Sequence, residues 1–177
     1  ISSLAKARKI EIINGYANFI SDNELEIKTT ENTLNLEFEH CIIATGSSPK
    51  VIDNFPNDKR IMDSTTALEI NDIPNKLLII GGGYIGLEMG SVWSRLGAEV
   101  HVIEFLDHIT PGMDKEISNE FMKILKKQGM KFNMQNKVET IKKNGAGVVV
   151  STVDKDGNKN NFECDVVLIS VGRKPNT

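Results

Sequence analysis

Cysteine is scarce in this sequence and long apolar runs do not occur, and each shortage excludes a class of protein. The two cysteines, Cys41 and Cys164, belong to no CxxC or similar pair, so the sequence predicts neither a metal site nor a redox disulfide. Both occur in strand-like apolar segments, and we expect buried, reduced thiols. The longest apolar runs, at residues 77–80 and 166–171, are far too short to cross a bilayer.

A field of one charge sign is also missing. The chain has 21 Lys and Arg against 24 Asp and Glu, interspersed along its length. This excludes a basic surface for nucleic acid and a polybasic membrane patch. With 177 residues and 40% hydrophobic content, the sequence predicts one full globular domain and a piece of a second. The basic opening is expected to end a solvated helix, with a targeting peptide as the alternative.

The most informative stretch is LLIIGGGYIG at residues 77–86, followed by a strand that ends at Glu104. It predicts a strand, a glycine turn, a helix and a second strand with a terminal acid. Gly81 permits a tight turn, Gly83 lets the backbone approach a pyrophosphate, and Gly86 lets the helix lie close on the sheet. Glu104 lies 18 residues after Gly86, near the spacing of about 20 for a ribose-binding acid. The sequence predicts a dinucleotide site; the alternative is a structural turn in another α/β domain.

The residue type at position 104 also predicts which dinucleotide binds. A carboxylate accepts hydrogen bonds from a ribose 2′-hydroxyl and repels a 2′-phosphate. The next residues, FLDH at 105–108, offer no arginine to receive such a phosphate. The predicted cofactor is NAD and not NADP.

The helix after the glycines is predicted over residues 85–96, with Gly97 as its left-handed cap. Gly90, one turn after Gly86, predicts an unusually close approach of this helix to a neighbour. Its apolar residues at three- and four-residue steps predict one buried stripe, made of Ile85, Met89, Val92, Trp93 and Leu96.

The flanking segments predict β-meanders on both sides of this unit. Before it come alternating segments and a short capped helix, at residues 10–19, 24–29, 34–39, 41–45 and 63–68. After it, Asp114 is the predicted cap of a helix that ends at Gln128. One face of that helix is predicted to carry Ile117, Phe121, Ile124 and Leu125. Further strands are predicted at residues 130–134, 138–142, 148–153 and 161–171.

Five segments together resemble one known family. They are IIATGS at 42–47, GGGYIGLE at 81–88, SVWSRLG at 91–97, VIEFLD at 102–107 and VGRKPNT at 171–177. In order and spacing they resemble the dihydrolipoamide dehydrogenases, which are two-dinucleotide flavoprotein disulfide reductases. The resemblance implies an α/β fold: a Rossmann-like, three-layer NAD-binding domain with a β-meander, plus a remnant of a homologous FAD-binding domain. It implies domain bounds of 1–70 for the FAD part, 71–170 for the NAD domain and 171–177 for the return to the FAD domain.

The resemblance also implies roles for individual residues. The NAD pyrophosphate and the nicotinamide-side ribose would contact Gly81, Gly82, Gly83, Tyr84, Ile85, Gly86, Leu87 and Glu88. Glu104 would hold the adenosine ribose, Val138 would pack on the adenine, and Gly172 would lie near the nicotinamide. FAD would contact Gly15, Thr45, Gly46 and Ser47. Alternatives remain open: an ordinary core role for Val138, a bulge at Gly15, and either an anion-binding or a structural role for Arg173.

Several motifs of this family do not occur in the sequence. The FAD-binding GxGxxG, the CxxxxC redox pair, the second flavin segment ending in Gly-Asp and the acid–base His-Pro segment are missing. The three histidines, His40, His101 and His108, have other contexts. We therefore predict no catalytic residue and no metal ligand here, and we expect the sequence to be an internal fragment without lipoamide dehydrogenase activity of its own.

The resemblance implies that the parent protein oxidises dihydrolipoamide through a disulfide and FAD and passes hydride to NAD. Its partners would be NAD(H), the remainder of its own chain, a homodimer partner and a 2-oxo acid dehydrogenase complex. Its location would be a bacterial cytoplasm or a mitochondrial matrix. Two alternatives stay open: a related NADH-dependent flavoprotein reductase or oxidase, and a stand-alone NAD-binding module.

Overall fold

The computed structural model describes residues 1–50, 52, 55–69 and 71–177. The chain forms two compact units, Ile1–Ala44 and Thr45–Thr177. The first unit begins with helix α1 (Ser2–Ala7). An antiparallel sheet follows, made of β1 (Tyr16–Ser21), β2 (Glu24–Lys28) and β3 (Thr33–Glu37) in that order. The predicted meander is confirmed, although its first strand begins six residues later than expected.

The predicted strand over residues 41–45 is wrong. No strand occurs in this segment, and Ile42 and Ile43 are 91% and 61% exposed. An apolar strand is stable when a neighbouring strand satisfies its N–H and C=O groups, and the described residues provide no such neighbour here. Cys41 is consequently exposed, so its predicted burial is also wrong.

Cys164 is buried, as the sequence predicts. Its thiol contacts the Val148 carbonyl oxygen at 3.6 Å. Burial, with a smaller contribution from the charge of Asp165, raises the pKa of the Cys164 thiol to about 12. The thiol therefore remains protonated at neutral pH, which suits a small core residue.

The second unit is built around a five-stranded parallel sheet. Its elements, in chain order, are β4 (Ser47–Pro49), β5 (Ile61–Met62), a 3₁₀ helix (Thr66–Glu69), β6 (Lys76–Ile80), α2 (Tyr84–Leu96), β7 (Glu99–Ile103), α3 (Lys115–Lys127), β8 (Lys131–Asn133), β9 (Asn136–Asn144), β10 (Gly147–Asp154), β11 (Lys159–Cys164), β12 (Val166–Ile169) and β13 (Arg173–Pro175). The order of strands in the parallel sheet is β5-β12-β6-β7-β8. Strands β11, β10 and β9 form a separate antiparallel sheet.

The two faces of the parallel sheet carry separate cores, because successive side chains of a strand point to opposite faces. Leu77 and Ile79 of β6 join a cluster with α2 and α3, through Leu87 and Leu125. The other cluster joins the parallel sheet to the antiparallel sheet and contains Leu78, Ile80, Ile141, Val148 and Val150. The layers are therefore helices, parallel sheet and antiparallel sheet, and the predicted Rossmann-like α/β class is confirmed.

The stripe predicted on helix α2 is confirmed in part, since Trp93 is buried and Met89 packs against the core. The buried residues of the helix are Gly86, Leu87, Gly90 and Trp93, whereas Val92 and Leu96 are about half exposed. The two glycines lower the helix onto the sheet, so the face that they occupy becomes the buried one. Gly97 ends the helix with φ +110°, as predicted.

The stripe predicted on helix α3 is also confirmed in part. The Asp114 carboxylate accepts from the Glu116 N–H at 2.8 Å, which confirms the predicted cap. The buried positions are Ser118 and Leu125, with Phe121 packed beside them. Ile117 and Ile124 are 55% and 51% exposed, so half of the predicted stripe faces outward.

The last predicted strand, at residues 161–171, is two strands in two sheets. β11 pairs with β10 in the antiparallel sheet, and β12 lies between β5 and β6 in the parallel one. Asp165 stands at the break. Its Oδ2 accepts from the Lys76 N–H at 2.9 Å and its own N–H donates to the Lys76 carbonyl at 3.1 Å. This exchange moves the chain from one layer to the other without leaving its backbone groups unpaired.

Candidate dinucleotide site

A cavity of about 680 Å³ lies where β6, β7 and β12 end. Ligands in open parallel sheets bind in the crevice outside the carboxyl ends of the strands. The walls include most of the predicted NAD residues, namely Gly81, Gly83, Tyr84, Ile85, Glu104, Val138 and Gly172. The sequence analysis did not identify the other wall residues, which include Phe55, Phe105, Leu106, Thr110, Met113, Asn136, Lys137 and Ser170.

The first glycine of the turn is required by its backbone conformation and by its neighbours. Gly81 has φ +105°, and a Cβ there would lie 2.5 Å from the Ser170 carbonyl oxygen. Its N–H donates to the Ile103 carbonyl at 2.9 Å. The Ser170 hydroxyl donates to the Gly81 carbonyl at 3.0 Å. These bonds join the turn to the ends of β7 and β12, and only glycine fits there.

The second glycine is held by both of its backbone groups. The Gly82 N–H donates to Glu104 Oε2 at 2.5 Å, and its carbonyl accepts from the Thr110 N–H at 2.8 Å. The other carboxylate oxygen of Glu104 accepts from the Leu106 N–H at 2.8 Å. Glu104 is buried, so its carboxylate is already a fixed part of the turn. Each carboxylate oxygen retains a second acceptor position.

The third glycine caps α2. Gly83 has extended backbone angles, and apart from its own chain neighbours no described atom lies within 4 Å of the position of a Cβ there. No described side chain caps this helix. The first N–H groups of a helix lack intrahelical acceptors and carry the positive end of its dipole. The start of α2 therefore offers donors to an anion in the cavity.

The remaining residues of the glycine segment occupy different surroundings. A Cβ at Gly86 would lie 2.5 Å from the Gly81 carbonyl oxygen and still closer to the Ser170 hydroxyl, which confirms the predicted close packing. Leu87 is fully buried in the core, and its N–H donates to the Gly83 carbonyl. Glu88 is exposed and lines a neighbouring groove between α2 and α3.

The opposite wall comes from the start of β9. Val138 packs against the core cluster of the two sheets and also lines the cavity. Asn136 is buried: its Nδ2 donates to the Met134 carbonyl at 2.9 Å, and its Oδ1 accepts from Thr152 at 3.0 Å. Phe105 and Leu106 add apolar surface at the same end. An adenine ring needs such an apolar wall with a few fixed polar groups.

A loop residue, Phe55, forms part of the wall, and ionic contacts fix the chain that follows it. Arg60 donates to both carboxylate oxygens of Asp58, at 2.8 and 2.9 Å. Its Nη1 donates to the carbonyls of Gly145 and Gly147, at 3.1 and 3.0 Å. The hydrogen bonds from Arg60, and then from Lys143, hold the pKa of the Asp58 carboxyl well below its usual range. The loop is thereby tied to the β9–β10 hairpin.

Of the residues predicted to contact FAD, Thr45, Gly46 and Ser47 are not among the described walls of this cavity, but Ser47 bonds to Arg173, which lines it. β4 pairs antiparallel with β13, and Asn176 bonds the carbonyls of Thr45 and Gly46, each at 3.1 Å. Gly46 has φ +73°. Gly15 belongs to the first unit, where a Cβ would lie 2.7 Å from the Lys28 carbonyl oxygen, so close packing explains this glycine.

Arg173 lines the cavity, and its guanidinium is held by the two serines Ser47 and Ser64. Its Nε donates to the Ser47 hydroxyl at 2.7 Å and its Nη1 to the Ser64 hydroxyl at 3.1 Å. Its Nη2 donates to the Ser47 carbonyl. Of the two alternatives for this residue, the contacts favour the structural one.

The described part of the chain contains no cluster of His, Cys, Asp and Glu that could hold a metal ion. Among the same residues, no helix is long and apolar enough to cross a membrane. His101 packs edge-on against Phe162, with ring centroids 5.0 Å apart, and burial lowers its pKa. A neutral imidazole between two layers fits a packing role.

Comparison with known proteins identifies the family. The family model described as pyridine nucleotide-disulphide oxidoreductase matches residues 1–177. The chain belongs to this family. Pyridine nucleotide-disulphide oxidoreductases use FAD and NAD. The family resemblance inferred from the sequence motifs is thus confirmed.

Curated relatives in this family carry two kinds of name. A mitochondrial dihydrolipoyl dehydrogenase of Pisum sativum is 45% identical over 181 residues, covering all of this chain and 36% of the relative. A leghemoglobin reductase of Glycine max is 44% identical, with 34% of its length covered. The chain thus spans about a third of the length of these relatives.

Solved structures of two other proteins have a similar fold. The Cu(II) complex of the HOCl-induced flavoprotein disulfide reductase RclA from Escherichia coli has a TM-score of 0.80 and 30% identity. The match covers 98% of this chain and 38% of that one. LpdA from Mycobacterium tuberculosis has a TM-score of 0.85 at 22% identity, covering 99% and 39% of the two chains.

Proposed function

We propose that this chain contains the NAD-binding part of a dihydrolipoamide dehydrogenase. The observation that supports it best is the cavity at the ends of β6, β7 and β12, which combines the glycine turn, the uncapped start of α2 and a buried glutamate. The curated relatives at 40–45% identity, most of which are named dihydrolipoyl dehydrogenase, support the same function. In this proposal residues 71–170 are the NAD-binding domain and 1–70 belong to an FAD-binding domain. Residue 70, at the proposed boundary, lies outside the described residues.

The residues of the cavity suit a dinucleotide. The open space at Gly83 lets a phosphate reach the first N–H groups of α2. In this proposal the nicotinamide-side ribose and the pyrophosphate contact residues 81–88, with Leu87 contributing through its position in the helix and Glu88 from the exposed face. The second acceptor positions of the Glu104 oxygens receive the hydroxyls of the adenosine ribose. Val138 packs on the adenine, and Gly172, which has φ +112°, lies near the nicotinamide.

The chemistry of such a site belongs to the cofactor, since nicotinamide, when bound, accepts or donates a hydride. The protein residues proposed here bind and orient the dinucleotide. In the whole enzyme, dihydrolipoamide is oxidised through a disulfide and FAD, and the electrons pass to NAD. Gly15, Thr45, Gly46 and Ser47 are the residues of this chain that we assign to FAD. The Gly46 conformation and the β4–β13 pairing are consistent with a close backbone approach to such a ligand.

The proposed setting of the whole enzyme rests on the family resemblance and, for the mitochondrial matrix, on the relatives' names. We propose a homodimer that serves a 2-oxo acid dehydrogenase complex, in a mitochondrial matrix or a bacterial cytoplasm. A different reductase of the same family is the second candidate. Two similar proteins support this candidate. One is named leghemoglobin reductase and is 44% identical, and the other is an HOCl-induced flavoprotein disulfide reductase and is 30% identical.

Titration calorimetry of the purified protein with NADH and NADPH tests the proposed function. We expect saturable binding of NADH and binding of NADPH weaker by about tenfold or more, because a 2′-phosphate would face the Glu104 carboxylate. Equal affinity for both nucleotides would contradict the assignment of Glu104. Binding of neither would contradict the NAD site itself. Reduction of NAD by dihydrolipoamide, compared with turnover of other disulfides or oxidants, distinguishes the two candidate enzymes.

A further inference from the structure

A residue outside every recognised motif holds the middle of the glycine turn. Thr110 lies in the loop between β7 and α3, is buried, and lines the dinucleotide cavity. Its backbone N–H donates to the Gly82 carbonyl oxygen at 2.8 Å. This contact holds the Gly82 carbonyl group in place.

The backbone of Thr110 has an unfavourable conformation. Its φ is +50°, in the left-handed region that β-branched residues avoid. The next residue is Pro111, and a residue before proline favours an extended backbone with φ near −120°. Such a conformation persists only where the surrounding structure imposes it, and these positions cluster at ligand sites.

Two contacts impose this conformation on Thr110. Its Oγ1 shares a hydrogen bond of 2.8 Å with the buried Ser118 hydroxyl of α3. Its carbonyl accepts from the Met113 N–H at 3.1 Å, which closes a turn with Gly112 at φ +95°. Pro followed by a glycine with positive φ is typical of a type II turn. Thr110 is therefore fixed between this turn and the first part of α3.

The Thr110 contact determines the direction of the neighbouring amide. The Gly82 carbonyl and the Gly83 N–H belong to one trans peptide group and point in opposite directions. Because Thr110 fixes the carbonyl, it also fixes the Gly83 N–H at the start of α2. Ser170 and Glu104 fix the preceding peptide group in the same way, through the Gly81 carbonyl and the Gly82 N–H.

We propose that Thr110 is a positioning residue for the dinucleotide pyrophosphate, supported by its hydrogen bond to Ser118. This inference rests on the proposed NAD-binding function and adds a residue to that site. Thr110 makes the glycine turn rigid before the ligand arrives, so the ligand does not have to order it. Such preorganisation increases affinity by reducing the cost of ordering the site.

Three single variants and one double variant test the proposal in NADH titrations of the purified protein. Thr110→Val removes the hydroxyl and keeps the branched shape, Ser118→Ala removes its partner, and Thr110→Ser keeps the hydroxyl. We expect Thr110→Val and Ser118→Ala each to weaken NADH binding about threefold to tenfold, the range for one lost hydrogen bond. The Kd of Thr110→Ser for NADH is expected to lie within about twofold of that of the unchanged protein. The double variant Thr110→Val/Ser118→Ala should bind NADH no more weakly than whichever of its two single variants binds it less tightly, because both substitutions remove the same hydrogen bond.

A control separates positioning from a general loss of stability. Ile141→Val removes a methyl group from the core between the two sheets and should lower stability without changing the Kd for NADH. Backbone hydrogen exchange supplies a readout without ligand, because loss of the Ser118 bond should accelerate exchange of the Thr110 amide. Hydrogen exchange can be measured at a low temperature, so it also serves for a variant that is partly unfolded at the temperature of the NADH titration.

The outcomes distinguish this proposal from the proposed function. If the unchanged protein binds NADH and both Thr110→Val and Ser118→Ala bind it equally well, the role of Thr110 is wrong and the NAD site stands. Weakening by Ile141→Val as large as that by Ser118→Ala would also overturn the role. If the unchanged protein does not bind NADH, both proposals are wrong.

Discussion

Gly83 and Glu104 contribute to the glycine turn in different ways. Around Gly83 the described protein leaves open space, whereas both Glu104 oxygens already accept backbone N–H groups. Removal of the Glu104 carboxylate would leave two donors without an acceptor, at a cost of about 1–3 kcal/mol for each buried group. A Glu104→Ala variant therefore changes the turn as well as the ribose contact, and it is a poor probe of ribose binding alone.

Gly83→Ala is the sharper test of the proposed phosphate contact. Apart from its own chain neighbours, an alanine Cβ at position 83 meets no described atom within 4 Å, and the backbone there does not require glycine. We expect the free energy of unfolding in urea to change by less than about 0.5 kcal/mol, as at an ordinary surface site. NADH affinity should fall about tenfold or more, because the methyl group occupies the space that the pyrophosphate needs. An unchanged NADH affinity would place the pyrophosphate elsewhere.

At the level of the element, the two buried glycines of α2 differ in what surrounds them. A Cβ at Gly86 meets the Gly81 carbonyl, a backbone atom that cannot move without opening the turn. A Cβ at Gly90 meets the ends of two side chains, Ile79 Cδ1 and Met130 Cε, each at 2.7 Å. Side-chain ends can change rotamer at modest cost, and the flexible Met is well suited to this.

The corresponding prediction compares Gly86→Ala with Gly90→Ala. We expect Gly86→Ala to lower the free energy of unfolding by about 1–3 kcal/mol, through overpacking against the backbone. Gly90→Ala should change it by less than about 1 kcal/mol, because alanine favours the helix by a similar amount. Urea unfolding of the two variants measures both values. Equal losses would show that the helix, and not the turn, determines the cost.

The order of helices and strands in the second unit could be predicted well from periodicity and caps, but the apolar stripes of the two helices could be predicted only in part. Gly86 and Gly90 correctly predicted the close approach of α2, but apolar spacing also assigned Val92 and Leu96 to the buried stripe, and both are about half exposed. Hydrophobic periodicity assigns no weight to glycine, although glycine permits the closest approach. The break at Asp165 was missed for a related reason: the apolar run continues through it while the hydrogen-bonding partners change.

At the level of the whole molecule, the parallel sheet explains why distant sequence segments meet in one site. The strand ends at Ile80, Ile103 and Ile169 lie at the same edge, so the loops after them converge. The glycine turn and Glu104 follow two of these strands directly, so their meeting in one site could be predicted from the sequence alone. Thr110 could not, because it holds the turn through a backbone N–H, which almost any residue carries, and because the partner of its hydroxyl, Ser118, lies on the following helix.

The division into two compact units predicts that the second unit folds and binds NADH without the first. All wall residues of the cavity, and every strand of the parallel sheet, belong to Thr45–Thr177. The core clusters on both faces of that sheet also come from this unit alone. A protein with residues 45–177 only should therefore fold cooperatively and bind NADH within about threefold of the 177-residue chain, since the local contacts of the site are retained. Calorimetric titration and urea unfolding of both proteins check this. A much weaker NADH affinity in the shorter protein, with unfolding still cooperative, would mean that the first unit takes part in the site.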